Sequence, residues 1–197
     1  MTKTTVALVA VIAVALAALV LVASGHGLHA EASWPAPVVE GEDSIMREKE
    51  HGTCPRLPPR KLRWSVDSDT AQRINCVNRH FAERAGYFET VQPFLDELGK
   101  LKEGETMTFY DIITGRPLFR APVGRTVAEF VAESRAHGWP SFRDAEVIWD
   151  DVRVLKDGET VSTVGAHLGH NLPDNLGNRY CIVRCLLVCV CVRGRSR

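Results

Sequence analysis

The sequence predicts a mainly β domain of antiparallel sheet with a few helices, carried behind a helical appendage and a hydrophobic leader. Four stretches after Lys102 have the β-branched and aromatic composition of strands: 105–113 (ETMTFYDII), 147–154, 160–164 and 180–192. Turn signals separate them, Thr114-Gly115 and above all Asp157-Gly158, which stands between VRVL and ETVS as a hairpin loop. Helical spacing is confined to short windows, two before residue 100 and one at 126–136.

In order, the chain opens with Lys3 and then 6–23, VALVAVIAVALAALVLVA, an apolar run without a charge. Roughly 18 such residues sit at the lower edge of what spans a bilayer. Ala30-Glu31-Ala32 has the small-residue arrangement of a signal-peptidase site, so 1–30 reads either as a cleaved signal peptide or as a retained signal anchor. Lys3 is the only charge on the near side, so both readings send the rest of the chain into the secretory lumen or outside the cell. Residues 31–62 carry Pro35, Pro37, Pro55, Pro58 and Pro59 among scattered charges, the composition of a tether that need not fold. Residues 63–100 form the helical appendage. In it Ala71, Ile74, Val77, Phe81 and Ala85 mark one face of a helix capped by Asp67 or Ser68 and ending near Gly86, and a shorter helix follows over 91–98. The β domain occupies 101–197, with one more helix at 126–136 through Val127, Phe130 and Val131.

Composition narrows the partners. Lysines and arginines number 24, as do aspartates and glutamates, so no global field favours nucleic acid, and membrane contact is left to the leader. Six cysteines without a C-x-x-C fit neither a disulfide mini-protein nor a zinc finger.

Chemistry concentrates in 165–182, GAHLGHNLPDNLGNRYCI. His167, His170, Asp174, Arg179 and Cys181 fall within this span, and Gly169, Pro173 and Gly177 let the backbone fold back so that they converge. Cys181 is the candidate nucleophile. A cysteine on an apolar strand usually reads as inert core, and the company of Arg179 and two histidines changes that reading. Residues 179 and 181 lie two apart on a strand and share a face, which brings a guanidinium to the thiol and favours the thiolate. His167, His170, Asp174 and Cys181 are also all metal-ligand types, so the residues alone leave a metal site open.

His137-Gly138-Trp139-Pro140-Ser141-Phe142, then His167-Leu168-Gly169-His170 with Asp174, then Arg179-Tyr180-Cys181-Ile182 stand in one order. In that order they resemble the signatures of the B-type methionine-R-sulfoxide reductases, over roughly residues 105–184. The resemblance implies two facing antiparallel sheets with the active site between them, and thiol-dependent reduction of the R epimer of methionine sulfoxide, free or in a peptide or protein. It makes Cys181 the nucleophile that becomes a sulfenic acid, with Arg179 beside it. It gives Trp139 and Phe142 to the substrate methyl, and sets His167, His170 and Asp174 around the sulfoxide oxygen, the histidines assisting proton delivery. It implies no bound cofactor and no catalytic metal. The reductant is an external thiol, thioredoxin-like or small.

Departures from the family pattern are equally legible. Family members that hold structural zinc use two C-x-x-C pairs, and the corresponding positions are Asp111 with Thr114 and Val161 with Val164, which cannot hold it. The family asparagine two residues after the nucleophile is Val183, which removes an amide expected to orient the polar network. The tail RCLLVCVCVRGRSR is richer in cysteine than a closing strand of this domain. Val183 and the tail favour a rival reading, a binding domain that keeps the pocket but has lost turnover.

Cys54, Cys76, Cys185, Cys189 and Cys191 compete to resolve the sulfenic acid. In an extended strand Cys185 lies about 13 Å from Cys181 at roughly 3.3 Å per residue, beyond the roughly 7 Å a disulfide allows. Cys76, on a helix face, reads either as a small buried residue or as the disulfide partner of Cys54. Cys54, on the tether, is expected to reach the pocket mouth and form a transient bond to Cys181, unless an external thiol reduces the sulfenic acid directly.

Overall fold

Seven strands build two antiparallel sheets in the computed structural model, which describes residues 34–183. Met107–Tyr110 (β1) pairs with Pro117–Ala121 (β2). Ser141–Phe142 (β3), Val152–Val154 (β4), Glu159–Ser162 (β5), His167–Asn171 (β6) and Tyr180–Ile182 (β7) form a five-stranded sheet in the order β3-β7-β6-β5-β4. The helices Ser68–Gln72 (α1), Gln92–Gly99 (α2) and Val127–His137 (α3) complete a mainly β architecture. Among the described residues no helix is long and apolar enough to cross a membrane. The leader run 6–23 and the tail cysteines 185, 189 and 191 lie outside them.

An aromatic cluster joins the two sheets. Phe109 of β1 and Phe119 of β2 place their rings 5.0 and 4.7 Å from that of Phe142 on β3, and Phe130 of α3 closes the group at 5.4 Å. All four are buried, and truncating any one to alanine removes roughly 3–5 kcal/mol of packing. Helix α3 starts where the sequence placed it because Thr126 and Glu129 form a reciprocal capping box. The Asp157-Gly158 hairpin also forms, pairing β4 with β5.

Three expectations are corrected. The tether is structured from Trp34 onward. Gly41 donates to the Val154 carbonyl and Val154 to that of Val39, at 3.0 and 3.1 Å, while the Trp34 indole donates to Leu155 at 2.9 Å. Strand β4 is a sheet edge with unpaired peptide groups, so a proline-rich segment with no periodicity of its own finds partners there. The helix expected through Ala85 stops early: after α1 the backbone widens into a π turn over Arg73–Val77, and Asn78 is extended. The Cys76 carbonyl is taken by the Thr53 amide at 2.7 Å, which diverts it from a helical ladder. Finally, strands form at β2, β3 and β6, where none was expected, while 105–113 and 147–154 shrink to β1 and β4; at the first, Asp111 organises a turn by accepting from the Ile113 amide.

The corner formed by Asp111 and Thr114 is held by side-chain bonds. Asp111 is buried and accepts from the Ile113 amide and the Thr114 hydroxyl at 2.8 and 2.9 Å, and burial pushes its carboxyl up. Lys49 reaches under the neighbouring β5–β6 turn, where its ammonium donates to the Ile45 and Thr53 carbonyls, each at 2.6 Å. Burial lowers its pKa. Gly165 leaves room for this strap: a Cβ there would lie 2.4 Å from the Thr53 oxygen.

Candidate active site

Strand β7 places Cys181 between two partners, opposite Ser141 on β3 and His170 on β6. Its neighbours Tyr180 and Ile182 face the core with no exposure, so alternation turns Cys181 to the other side, where it is partly exposed and the one free cysteine among the described residues. The thiol opens on a cleft of about 380 Å³. His167, His170 and Val183 line it from the sheet; Arg79, Phe81 and Trp139 wall the other side.

Both histidines reach this cleft because β6 is irregular. In a regular strand residues three apart face opposite sides, but here Thr160 pairs with Gly169 and Val161 with His167, so one extra residue sits on β6. The bulge swings the two rings to centroids 5.4 Å apart. Gly169, at φ +149°, makes it possible: a Cβ would stand 2.0 Å from the Cys181 carbonyl oxygen.

His167 is the better-held histidine. Its Nδ1 lies 2.7 Å from Glu159 Oε1, and its carbonyl accepts from the Asn75 amide at 2.6 Å. Arg79 Nε donates to both oxygens of Glu159 at 3.0 and 2.9 Å, and the pair forms a salt bridge. Burial alone would raise the Glu159 carboxyl, but the bonds from His167 and Arg79 hold it at about 2. His170 is lowered, chiefly by burial. Its ring therefore resists becoming imidazolium.

For Cys181 the outcome differs from the sequence expectation. Arg179 does act on the thiol by charge and hydrogen bonding, both lowering its pKa, yet burial dominates and pushes the thiol up. A base is therefore required to make the thiolate. Arg179 is itself buried, and its Nε and Nη1 have no hydrogen-bond partner.

Trp139 lines the cleft. Gly138 ends α3 in a left-handed turn, and the Trp139 indole donates to the Glu83 carbonyl at 3.1 Å. Two other assignments are corrected. Phe142 has no exposure and belongs to the aromatic core rather than the cleft, because β3 turns it inward beside Phe109 and Phe119. Asp174 is exposed on the β6–β7 turn, where Arg143 holds it with two 2.9 Å bonds and keeps its carboxyl at about 2. It reaches the site only through Arg179, 3.4 Å away.

Cys54 and Cys76 are joined in a disulfide, both fully buried. The expected Cys54–Cys181 exchange is corrected accordingly, because the segment that was to swing is fixed to the fold. Among the described residues, ligand-type atoms of Glu133, His137 and Asp174 lie within 4.8 Å of one another, but Arg125 and Arg143 already neutralise these carboxylates. His167, His170 and Cys181 form no such group among the described residues.

Comparison of the chain with protein-family models, curated proteins and solved structures finds no match. The functional reading therefore rests on the site.

Sequence reasoning missed Glu159, Arg79 and Asn75. Glu159 carried a faint signal, a carboxylate opening a strand of otherwise uncharged residues. Arg79 carried none, since the assumed helix placed it on a solvent face.

Proposed function

We propose that this chain is a thiol-dependent reductase of methionine (R)-sulfoxide, built on the two-sheet plan of the B-type enzymes. One observation carries the reading: the one free thiol among the described residues opens on a cleft that also presents the Trp139 indole and the imidazoles of His80, His167 and His170, with the buried Arg179 guanidinium acting on the thiol. Trp139 offers an apolar face to the sulfur-bound methyl, and the donors face the oxygen. Cys181 sulfur attacks the sulfoxide sulfur, the oxygen is protonated and passes to Cys181, and the thioether leaves. Cys181 is oxidised by two electrons to a sulfenic acid as the sulfoxide is reduced by two. Two equivalents of an external thiol, small or thioredoxin-like, then return Cys181 to the thiol and release water and a disulfide. A buried Cys54–Cys76 bond suits the oxidising lumen or exterior to which the leader directs the chain.

The test is the full chain given dithiothreitol and a peptide bearing racemic methionine sulfoxide. Consumption of one epimer, abolished by Cys181→Ser, supports the reading, because a hydroxyl is far less nucleophilic at neutral pH. A second reading is favoured by Val183, which lines the cleft with an isopropyl group where the resemblance expects an amide: a pocket that binds the sulfoxide without turnover. Binding without consumption of either epimer selects it.

A further inference from the structure

His167 and His170, two of the three histidines that line the cleft, are not equivalent, and the difference comes from groups outside the recognised motifs. Arg79 follows the disulfide-tied π turn and Glu159 opens β5, 80 residues apart in sequence. We infer that Glu159, anchored by Arg79, is a positioning residue that commits His167 to the Nδ1–H tautomer, leaving Nε2 to carry the proton between Cys181 and the sulfoxide oxygen. The inference rests on the reductase reading.

The geometry leaves one tautomer for the neutral ring. An ionised carboxylate only accepts hydrogen bonds, so the 2.7 Å contact from His167 Nδ1 to Glu159 Oε1 requires hydrogen on Nδ1. In the neutral ring Nε2 is then the bare nitrogen, on a side chain that lines the cleft. Glu159 has 2% exposure and is bound on two sides, so the ring cannot exchange this partner for water. Among the described residues no carboxylate holds His170 in this way; its ring packs edge-on to His167. The charged and titratable groups around His167 are Glu159 and Arg79 on its Nδ1 side, His170 beside it on β6, and Cys181 with Arg179 from β7. His80 lines the same cleft, and it and Asp157 act on His170 by charge.

In the proton circuit Nε2 takes the Cys181 thiol proton, and the thiolate forms a bond to the sulfoxide sulfur. The S–O electron pair recovers the proton from Nε2. The sulfur–sulfur bond then breaks as the hydroxyl transfers to Cys181 and the thioether departs, restoring neutral His167.

Glu159→Gln separates positioning from structure. Arg79 donates to both oxygens of Glu159, so the glutamine oxygen is drawn to Arg79 and its amide is left facing Nδ1. The amide donates, and the tautomer inverts with little change of shape. Three readouts on the full chain follow: nitrogen-15 NMR of the histidine rings, the rate of Cys181 alkylation by iodoacetamide, and sulfoxide turnover. Wild type should show Nδ1 protonated and Nε2 bare in a ring identified by its loss in His167→Asn. Glu159→Gln should invert that pattern, slow alkylation, and lower kcat by at least about 100-fold with KM changed less. His170→Asn should cost clearly less than His167→Asn. A wild-type ring with hydrogen on Nε2, an unchanged kcat in Glu159→Gln, or equal losses at the two histidines overturns the inference. The NMR pattern and the alkylation rate need no sulfoxide turnover, so they stand even where the reductase reading fails. The wild-type spectrum alone decides the tautomer if the glutamine variant does not fold.

Discussion

Removing the Cys54–Cys76 bond should soften the whole described domain, and the loss can be worked from the chain. The cysteines are 22 residues apart. Closing a loop of that length in the unfolded chain is worth about 3 kcal/mol in the chain-entropy description. For a domain of this size each kcal/mol moves Tm by about 2–4 °C, so reduction should lower Tm by roughly 6–12 °C. The perturbation is best made twice, by a phosphine reductant on wild type and by the double variant Cys54→Ala with Cys76→Ala, since both sulfurs are buried and neither alanine leaves a charge or a hydroxyl behind. Thermal unfolding followed by circular dichroism and calorimetry reads the shift. Turnover should fall as well, because Arg79 and Phe81 follow Cys76 directly and wall the cleft. A chain beginning at residue 63 should behave like the reduced protein or worse, lacking Cys54 together with the strap on β4. A Tm unmoved by more than about 2 °C in both perturbations would refute the reasoning, for it would mean that the 54–76 loop is held as tightly by the Thr53 and Asn75 contacts alone.

Two further outcomes are expected. Gly169→Ala should lose nearly all turnover and destabilise the fold by at least about 1–3 kcal/mol, because the new methyl would lie 2.0 Å from the Cys181 carbonyl oxygen at a backbone angle alanine resists; a wild-type melting temperature and rate would show that β6 can slide away from β7. On acidification, Glu159 should make the domain weaken. Its folded value of about 2 lies below the ordinary carboxylate value, so its contribution is complete above about pH 4.5 and is lost as pH falls toward 2. Glu159→Gln should flatten the Tm profile in that window, and an unchanged slope would contradict the assigned charge pairing.

What the sequence disclosed and what it hid divide along physical lines. The capping box of α3, the Asp157-Gly158 hairpin and the strand that carries Cys181 are local, each encoded within a few residues, and each formed. Trp139 beside Cys181 came from motif order. Glu159 with Arg79 stayed hidden because their partnership is long-range and the segment that carries Arg79 breaks its own helical periodicity. Residues 34–62 misled because proline and charge suppress any periodic signal, although a sheet edge and a disulfide supply the order from outside the segment. Phe142 and Asp174 misled in another way: adjacency in sequence to Trp139 and Arg179 suggested the cleft, while strand alternation and a turn sent both elsewhere.

Strand β7 is bonded along both edges, to β3 and to β6, so the sulfur of Cys181 has only its own side-chain rotation with which to search for a partner. Any thiol that relieves an oxidised Cys181 must travel to it, and among the described residues none is free to do so. The kinetic order of reactivation therefore reports where that thiol originates. A single-turnover experiment in which recovery rises linearly with reductant concentration identifies a visiting molecule. A rate that does not respond to reductant identifies a thiol from the chain beyond residue 183, where Cys185, Cys189 and Cys191 lie.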